Sequence, residues 1–406
     1  MATEKENKKI KEESKETPAE ETHKHQENTQ KQPDESQAKD PEIPPLKDIK
    51  ELDELEKIQQ IEKPKPRSGN RVLLWILISV ALLIGLGMLT IAPYMVNGSE
   101  KDVTFRIPKN ATMQNVSDTL RKYFSEDYSN KVVRLMGIYG FDAAERHGLY
   151  YLPKGATPFA TMRKLSRGGQ SPVRLTINGF RSLPYLAQRI GLKMEFSPEE
   201  FLEAAKDSAY LTKYGLTPEQ ALSLFLEDSY DVYWTSTPKE VLDKIGENYL
   251  SYWTEGKREI AKEELGLTPA EMMIIASIAD EESNQILEKG RIGRLYINRL
   301  DKNMKLQADP TVRFAINDFT IRRVTNQHLK FESPYNTYIH DGLPPGPIRT
   351  TSRKTLSAIL DSKPSTDLYM CARPDFSGYH NFAATYDEHM QNARSYQAAL
   401  DERGIK

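Results

Sequence analysis

The stretch Leu267–Ser283, LTPAEMMIIASIADEES, carries the reading on which the rest depends. Thr268 is an N-cap, Pro269 takes the first helical position, and Glu271 three residues after the cap completes a capping box. An apolar helix follows through Met272, Met273, Ile274, Ile275 and Ile278, and it ends on three consecutive acids, Asp280, Glu281 and Glu282. Helical spacing separates them: Glu282 lies above Ile275, Ile278 and Ala279, Asp280 above Met273 and Ala276, and Glu281 above Ser277. A carboxylate near a helix C-terminus faces the negative end of the macrodipole. Apolar neighbours and adjacent like charges also disfavour ionisation, so each effect raises a carboxyl pKa. A Glu held protonated near neutral pH is what a general acid requires. The same segment also reads as a solvated acidic helix end with a structural role.

Two segments downstream are candidates for a cleft around such an acid. Alternation makes Met304–Thr311, MKLQADPT, a strand with Leu306 on one face and Lys305, Gln307, Asp309 and Thr311 near the other, ended by Pro310. Its polar groups could orient sugar hydroxyls, or it could simply lead into an Asp-Pro turn. Ser333–Ile348, SPYNTYIHDGLPPGPI, is a loop ordered by its prolines. Tyr335, Asn336 and Tyr338 offer stacking faces and hydrogen-bonding groups to a carbohydrate, or wrap the core. No HExxH, P-loop, GxGxxG or GxSxG motif occurs. Ser277 has no nearby base, and His340, His380 and His389 are too scattered for a metal site, so they read as hydrogen-bonded surface or core histidines.

Working outward, residues 184–406 form a mostly α domain with a small β component. LPYLAQRIG, SPEEFLEAAKD, TPKEVLDKIGENYLSYW and Tyr386–Glu402 are its other helices. Residues 100–183 alternate strand, turn and helix twice and add the strand VRLTING, a compact α/β accessory module. Residues 72–92 carry no charge and suffice to cross a hydrocarbon core of ~30 Å at ~1.5 Å per residue. Lys63, Lys65, Arg67 and Arg71 before this segment place the N-terminus in the cytoplasm and all that follows Pro93 outside. Residues 1–71 are a charged, low-complexity cytoplasmic tail expected to be disordered. Within it only Ile49–Ile61 has apolar residues at helical spacing. The fold class is therefore α+β behind a single N-terminal transmembrane helix.

The 406 residues are 38% hydrophobic and 28% charged, as expected when a polar tail dilutes an ordinary core. Lys+Arg 56 against Asp+Glu 58 gives a net charge of −2, which removes nucleic acid as a default partner. A single cysteine, Cys371, excludes an intrachain disulfide framework and a multi-Cys zinc site. No cofactor or metal is expected.

IIASIADEES, YINRL, LQADPTV, SPYNTY and GLPPGPI occur in this order and are followed by LYMCARPDFSGYHNFAATYDEHMQNARSYQ. In order and spacing, from Met272 to Gln397, they resemble the endolytic murein transglycosylases of the YceG-like (MltG) family. The apolar segment and small module also fit that family's layout, in which a LysM-like subdomain precedes the catalytic part. The family pattern A-S-I-x-E-x-E puts the catalytic Glu on Glu282 and its first Glu on Asp280. Two departures stand out: Glu227-Asp228-Ser229-Tyr230 replaces a Pro-Asp/Asn-Thr-aromatic run, and Thr351 stands where a Pro commonly follows the GLPPGPI loop. The resemblance implies substrate-cleft roles for Asp280, Gln307, Asp309, Thr311, Tyr335, Asn336 and Tyr338.

It further implies cleavage of the β-1,4 bond between N-acetylmuramic acid and N-acetylglucosamine without water. Glu282 would protonate the leaving oxygen and then accept a proton from the muramic acid 6-hydroxyl as that group closes onto the anomeric carbon, and the product would be a 1,6-anhydro end. Nascent peptidoglycan strands would be the substrate, elongation would be terminated at the bacterial cytoplasmic membrane, and a cell-wall synthase complex would be a partner. The competing expectations are a muramidase-type hydrolase using Asp309 or Asp280 as second carboxylate, and a non-catalytic peptidoglycan-binding scaffold.

Overall fold

A computed structural model describes residues 69–321 and 323–404. The expected disordered tail and the helix at Ile49–Ile61 lie outside the described residues. Helix α1, Gly69–Met95, extends the expected apolar segment by a few residues at each end. Arg71–Met95 is long and apolar enough to cross a membrane, and its apolar side chains, such as Leu82 and Leu89, are exposed.

The small module is built as β1 (Val103–Ile107), α2 (Met113–Tyr123), α3 (Glu126–Ile138), β2 (Gly148–Leu152) and α4 (Pro158–Ser166). β1 and β2 pair antiparallel, Val103 opposite Leu152 and Ile107 opposite Gly148. On β1 the alternation of Val103, Phe105 and Ile107 inward with Thr104 and Arg106 outward is the strand period of two. Val116 and Leu120 from α2, Val132 and Met136 from α3, and Met162 and Leu165 from α4 close this core.

The strand expected to finish the module does not join it. β3 (Pro172–Ile177) pairs antiparallel with β4 (Asp228–Tyr233), Leu175 opposite Tyr230, and buries Leu175 and Ile177 in the larger core. The first core therefore ends with Leu165. β4 holds Ser229, one of the departures noted above, opposite Thr176, and the two hydroxyls meet at 3.2 Å across the ladder.

The larger core is built by α5 (Leu183–Gly191), α6 (Pro198–Ala205), α7 (Ser208–Thr212), α8 (Pro238–Tyr252), α10 (Pro269–Glu282), α11 (Ile286–Asp301), α12 (Asp309–Ile316) and α13 (Arg353–Leu360), with α9 (Glu255–Glu259) between α8 and α10 burying no side chain. It closes with the hairpin β5 (Tyr369–Ala372) and β6 (His380–Ala383), then α14 (Tyr386–Glu402). At the start of α10, Thr268 Oγ1 accepts from Glu271 N and Glu271 Oε2 accepts from Thr268 N, the expected capping box. α10 is buried all round from Met272 to Asp280 and so forms the centre of the bundle. α11 crosses α13 at close quarters: a Cβ at Gly290 would collide with the Ala358 carbonyl oxygen, and one at Gly293 with Ile359. That crossing fixes α11 against the end of α10.

Candidate active site

The three acids that end α10 meet three different environments. Asp280 is buried, paired with Lys289 Nζ, and accepts from the hydroxyls of Thr351 and Thr355, the latter at 2.7 Å. Glu281 receives a bidentate grip from Arg181, 2.9 Å at both oxygens, and Arg349 Nη1 at 3.0 Å. Arg349 also reaches Glu227 at 3.1 Å. Glu282 makes no ion pair among the described residues. Its Oε1 accepts one neutral donor, Tyr296 Oη, at 2.6 Å. Burial pushes the Glu282 carboxyl up to about 7 against the pull of the Tyr296 hydrogen bond, with Asp309 and Glu281 adding to the rise and Arg313 opposing it.

Glu282 opens on a pocket of 270 Å³ lined by Leu295, Tyr296, Arg299, Leu306, Gln307, Asp309, Arg313, Tyr338, Met370, Cys371, Ala372 and His380. Asp309 starts α12, with Pro310 in its first turn. The expected strand over Met304–Thr311 is absent. Gln307 has φ +49°, which breaks extended alternation, and the chain then enters α12. That turn puts Gln307 and Asp309 on the same pocket wall. Tyr338 Oη donates to Asp309 Oδ1 at 2.6 Å across it.

Arg299 ties the walls together. Nε donates to the Leu368 carbonyl at 2.6 Å, and Nη1 to the carbonyls of Leu306 at 2.8 Å and Lys305 at 3.1 Å. Burial holds the Tyr296 and Tyr338 hydroxyls well above the usual phenol range, so both act as hydrogen-bond donors at neutral pH.

Of the residues singled out in the sequence, Glu282, Gln307, Asp309 and Tyr338 are brought together here. The other four stand elsewhere. Thr311 is buried, donating to the Ala308 carbonyl at 2.7 Å and accepting from the Thr337 hydroxyl at 2.9 Å. Asn336 is buried too: Nδ2 donates to the carbonyls of Leu329 and Phe331, and Oδ1 accepts from Tyr338 N at 3.1 Å, so it shapes the loop that presents Tyr338. Tyr335 packs on Phe314 in a separate pocket with Arg181 and Lys206. Asp280 faces α11 and α13 inside the core.

Sequence reasoning did not single out Tyr296, Arg299 or Arg313, and it read His380, which lines the pocket, as a hydrogen-bonded surface or core histidine. Tyr296 and Arg299 stand three apart on one helix face, in a run noted only as a motif. His380 gave no local signal, because its place in the wall depends on the β5–β6 hairpin, Ala372 opposite His380. No group of His, Cys, Asp and Glu fit to hold a metal ion occurs among the described residues.

Fold and pocket together define a polar site in which two carboxyls, Glu282 and Asp309, each meet a tyrosine hydroxyl and, among the described residues, no cationic partner in an ion pair. The sequence model of the YceG-like family matches residues 105–395, and the chain belongs to that family. An endolytic murein transglycosylase of Bacillus subtilis (strain 168) is 26% identical over 326 residues, covering 75% of this chain and 88% of that protein. One from Streptococcus pneumoniae serotype 2 (strain D39 / NCTC 7466) is 24% identical over 338 residues, 73% of this chain. The match spans only 59% of the length of that pneumococcal protein. The crystal structure of a YceG-like protein from Listeria monocytogenes aligns at 22% identity with a TM-score of 0.47, over 72% of this chain and 99% of that one.

Proposed function

We propose that the chain is a membrane-anchored endolytic lytic transglycosylase. It cleaves the β-1,4 bond between N-acetylmuramic acid and N-acetylglucosamine in nascent peptidoglycan, leaves a 1,6-anhydro end and so terminates glycan elongation. The observation that carries the reading is the contrast among adjacent acids: Asp280 and Glu281 are matched by Lys289, Arg181 and Arg349, whereas Glu282 has only a neutral donor and a pKa of about 7 in a polar pocket. A carboxyl so placed gives its proton to the leaving glycosidic oxygen and afterwards stands ready as a base. The names of the Bacillus and Streptococcus relatives support the same reaction.

α1 anchors the enzyme in the cytoplasmic membrane, with the N-terminus inside and the pocket outside, in reach of newly made strands and of a cell-wall synthase complex. The two-stranded sheet and helices from Val103 to Ser166, which close a core of their own, support a LysM-like accessory module. Gln307, Asp309 and Tyr338 contact the glycan at the pocket wall. Asp280, Thr311 and Asn336 support it from behind, and Tyr335 meets the strand further along.

The test is product analysis by mass spectrometry after full-length protein in detergent acts on uncrosslinked glycan. Wild type yields anhydro ends and Glu282→Gln lowers the rate at least about a thousandfold while glycan binding persists. Asp309 in the pocket with Glu282 favours one second reading, a muramidase with two carboxylates; reducing ends formed with water would establish it in place of the lyase. Glycan binding without any cleavage by wild type would leave a scaffold.

A further inference from the structure

We propose that Arg313 is a specificity-determining residue of this site, its guanidinium taking a carboxylate of the substrate strand. The inference rests on the peptidoglycan reading above and deepens it. Arg313 stands four residues after Asp309 on α12, so both side chains share a face of that helix, and both line the pocket of Glu282. The ordinary outcome of that spacing is an ion pair, but none forms among the described residues: Asp309 Oδ1 accepts instead from the Tyr338 hydroxyl at 2.6 Å. Arg313 Nε is buried without a hydrogen-bond partner. Three other arginines of the same core are engaged by protein acceptors: Arg294 by the Ser362 carbonyl at 3.0 Å, Arg299 by the Leu306 carbonyl at 2.8 Å and Arg349 by Glu281 at 3.0 Å. Arg313 alone of these four has no acceptor for its guanidinium among the described residues.

A buried donor left unanswered is costly, and it is tolerated where a ligand completes it. A guanidinium stays charged at every working pH and presents its N–H groups in a planar fork, whose spacing fits the two oxygens of one carboxylate. The neighbouring donors are already committed: the Tyr296 hydroxyl to Glu282, the Tyr338 hydroxyl to Asp309 and Arg299 to backbone carbonyls. A sugar hydroxyl or an acetamide carries no charge by which a cation could choose it. The anions that peptidoglycan does carry are carboxylates, on the stem peptide or, where the peptide has been removed, on the lactyl ether of muramic acid. Arg313 thus selects a strand by its acid groups, beside the residue that cuts it. The pairing also suits the acid. Arg313 pulls the Glu282 carboxyl down before a strand binds, and a carboxylate that neutralises Arg313 leaves Glu282 holding its proton once the strand is seated.

Binding of uncrosslinked glycan to full-length Glu282→Gln in detergent, where no bond is cut, tests this. Two glycans are compared, one bearing its stem peptides and one trimmed by an amidase to the free lactyl acid. Each is used before and after carbodiimide coupling to ammonia, which turns carboxylates into neutral amides. Amidation should weaken binding of at least one of them about tenfold or more, and the glycan that responds identifies which carboxylate Arg313 takes. Adding Arg313→Gln should weaken binding of that unmodified glycan by as much and leave amidation without effect, within about twofold. In protein that keeps Glu282, Arg313→Gln should raise KM about tenfold with kcat within about threefold. Should Arg313→Gln fail to fold, Arg313→Lys carries the test: it keeps the charge without the fork and should lose about threefold or more on the unmodified glycan and nothing on the amidated one. Affinity that stays within about twofold when both glycans are amidated, or an equal loss in Arg313→Gln on acid and amidated forms, overturns the proposal and leaves the cleavage reading standing. Protein that binds neither glycan removes both together.

Discussion

The two cores of this molecule bury very different things. The small one, between Val103 and Leu165, is closed by apolar side chains, and its buried polar groups are hydroxyls: Ser117, Ser129 and Thr161. The larger one buries Asp280, Glu288, Arg294, Arg299 and Asp367 as well. Buried charges are poor stabilisers relative to apolar groups of the same shape, because desolvation offsets most of the attraction. Of these, Arg299 lines the pocket of Glu282, and Glu288 holds His380 of the same pocket wall. The small core needs only to be compact, whereas the large one must also keep one carboxyl without a countercharge. The difference teaches that the site is marked by contrast along one helix end: Asp280 and Glu281 have cationic partners, and Glu282 beside them has only a tyrosine hydroxyl.

The contrast is broken most severely by Asp280→Ala. It leaves Lys289 half-buried without its partner and two threonine hydroxyls unanswered, and should destabilise the larger unit by ~3–5 kcal/mol in denaturant unfolding. Ser117→Ala in the small core should change stability by no more than ~1 kcal/mol in the same measurement. Equal apolar truncations sharpen the comparison. Ile275→Ala and Leu120→Ala each open a fully buried cavity and should each destabilise by ~2–5 kcal/mol, but only the first lies on the helix that carries Glu282 and should also slow cleavage.

The charge of Glu282 gives a pH signature. Its folded pKa is about 7, above the ordinary 4.5, so the folded state binds its proton more tightly than the unfolded chain does. That contribution is fully present below about 4.5 and is lost as pH rises through about 7. Unfolding midpoints of wild type should therefore fall over this window relative to Glu282→Gln, and cleavage should decline above about 7 as the acid form disappears. The smallest effect belongs to Tyr296→Phe. Removing the donor that lowers the Glu282 pKa should move the alkaline limb of the cleavage profile to higher pH, by a unit or less, with the fold intact.

Much of the scaffold was legible in local pattern. The Thr268–Glu271 capping box, the helix over TPKEVLDKIGENYLSYW that is α8 and the bounds of α14 follow from spacing and cap residues alone. The different directions of Asp280, Glu281 and Glu282 followed from the helical period, though their partners did not. What escaped was non-local. β3 pairs with β4 across a long excursion of chain, and no property of VRLTING points to that ladder in preference to the nearer β1–β2 pair. Alternation over MKLQADPT suggested a strand because a left-handed Gln307 leaves no trace in residue order. His380 depends on Glu288, a residue most of a hundred positions away, and on a hairpin that sets it in the pocket wall.

One arginine sets a dimension of the whole device. Arg299 bonds the Leu368 carbonyl ahead of β5 with one nitrogen and the Leu306 carbonyl ahead of α12 with another, so opposite banks of the pocket stand one guanidinium apart. A planar, rigid fork is a fixed-length spacer, which a lysine with its single terminal nitrogen is not. The width of the opening beside Glu282 is thereby gauged by one side chain of α11, and a change at this one position would recalibrate it without altering the acid.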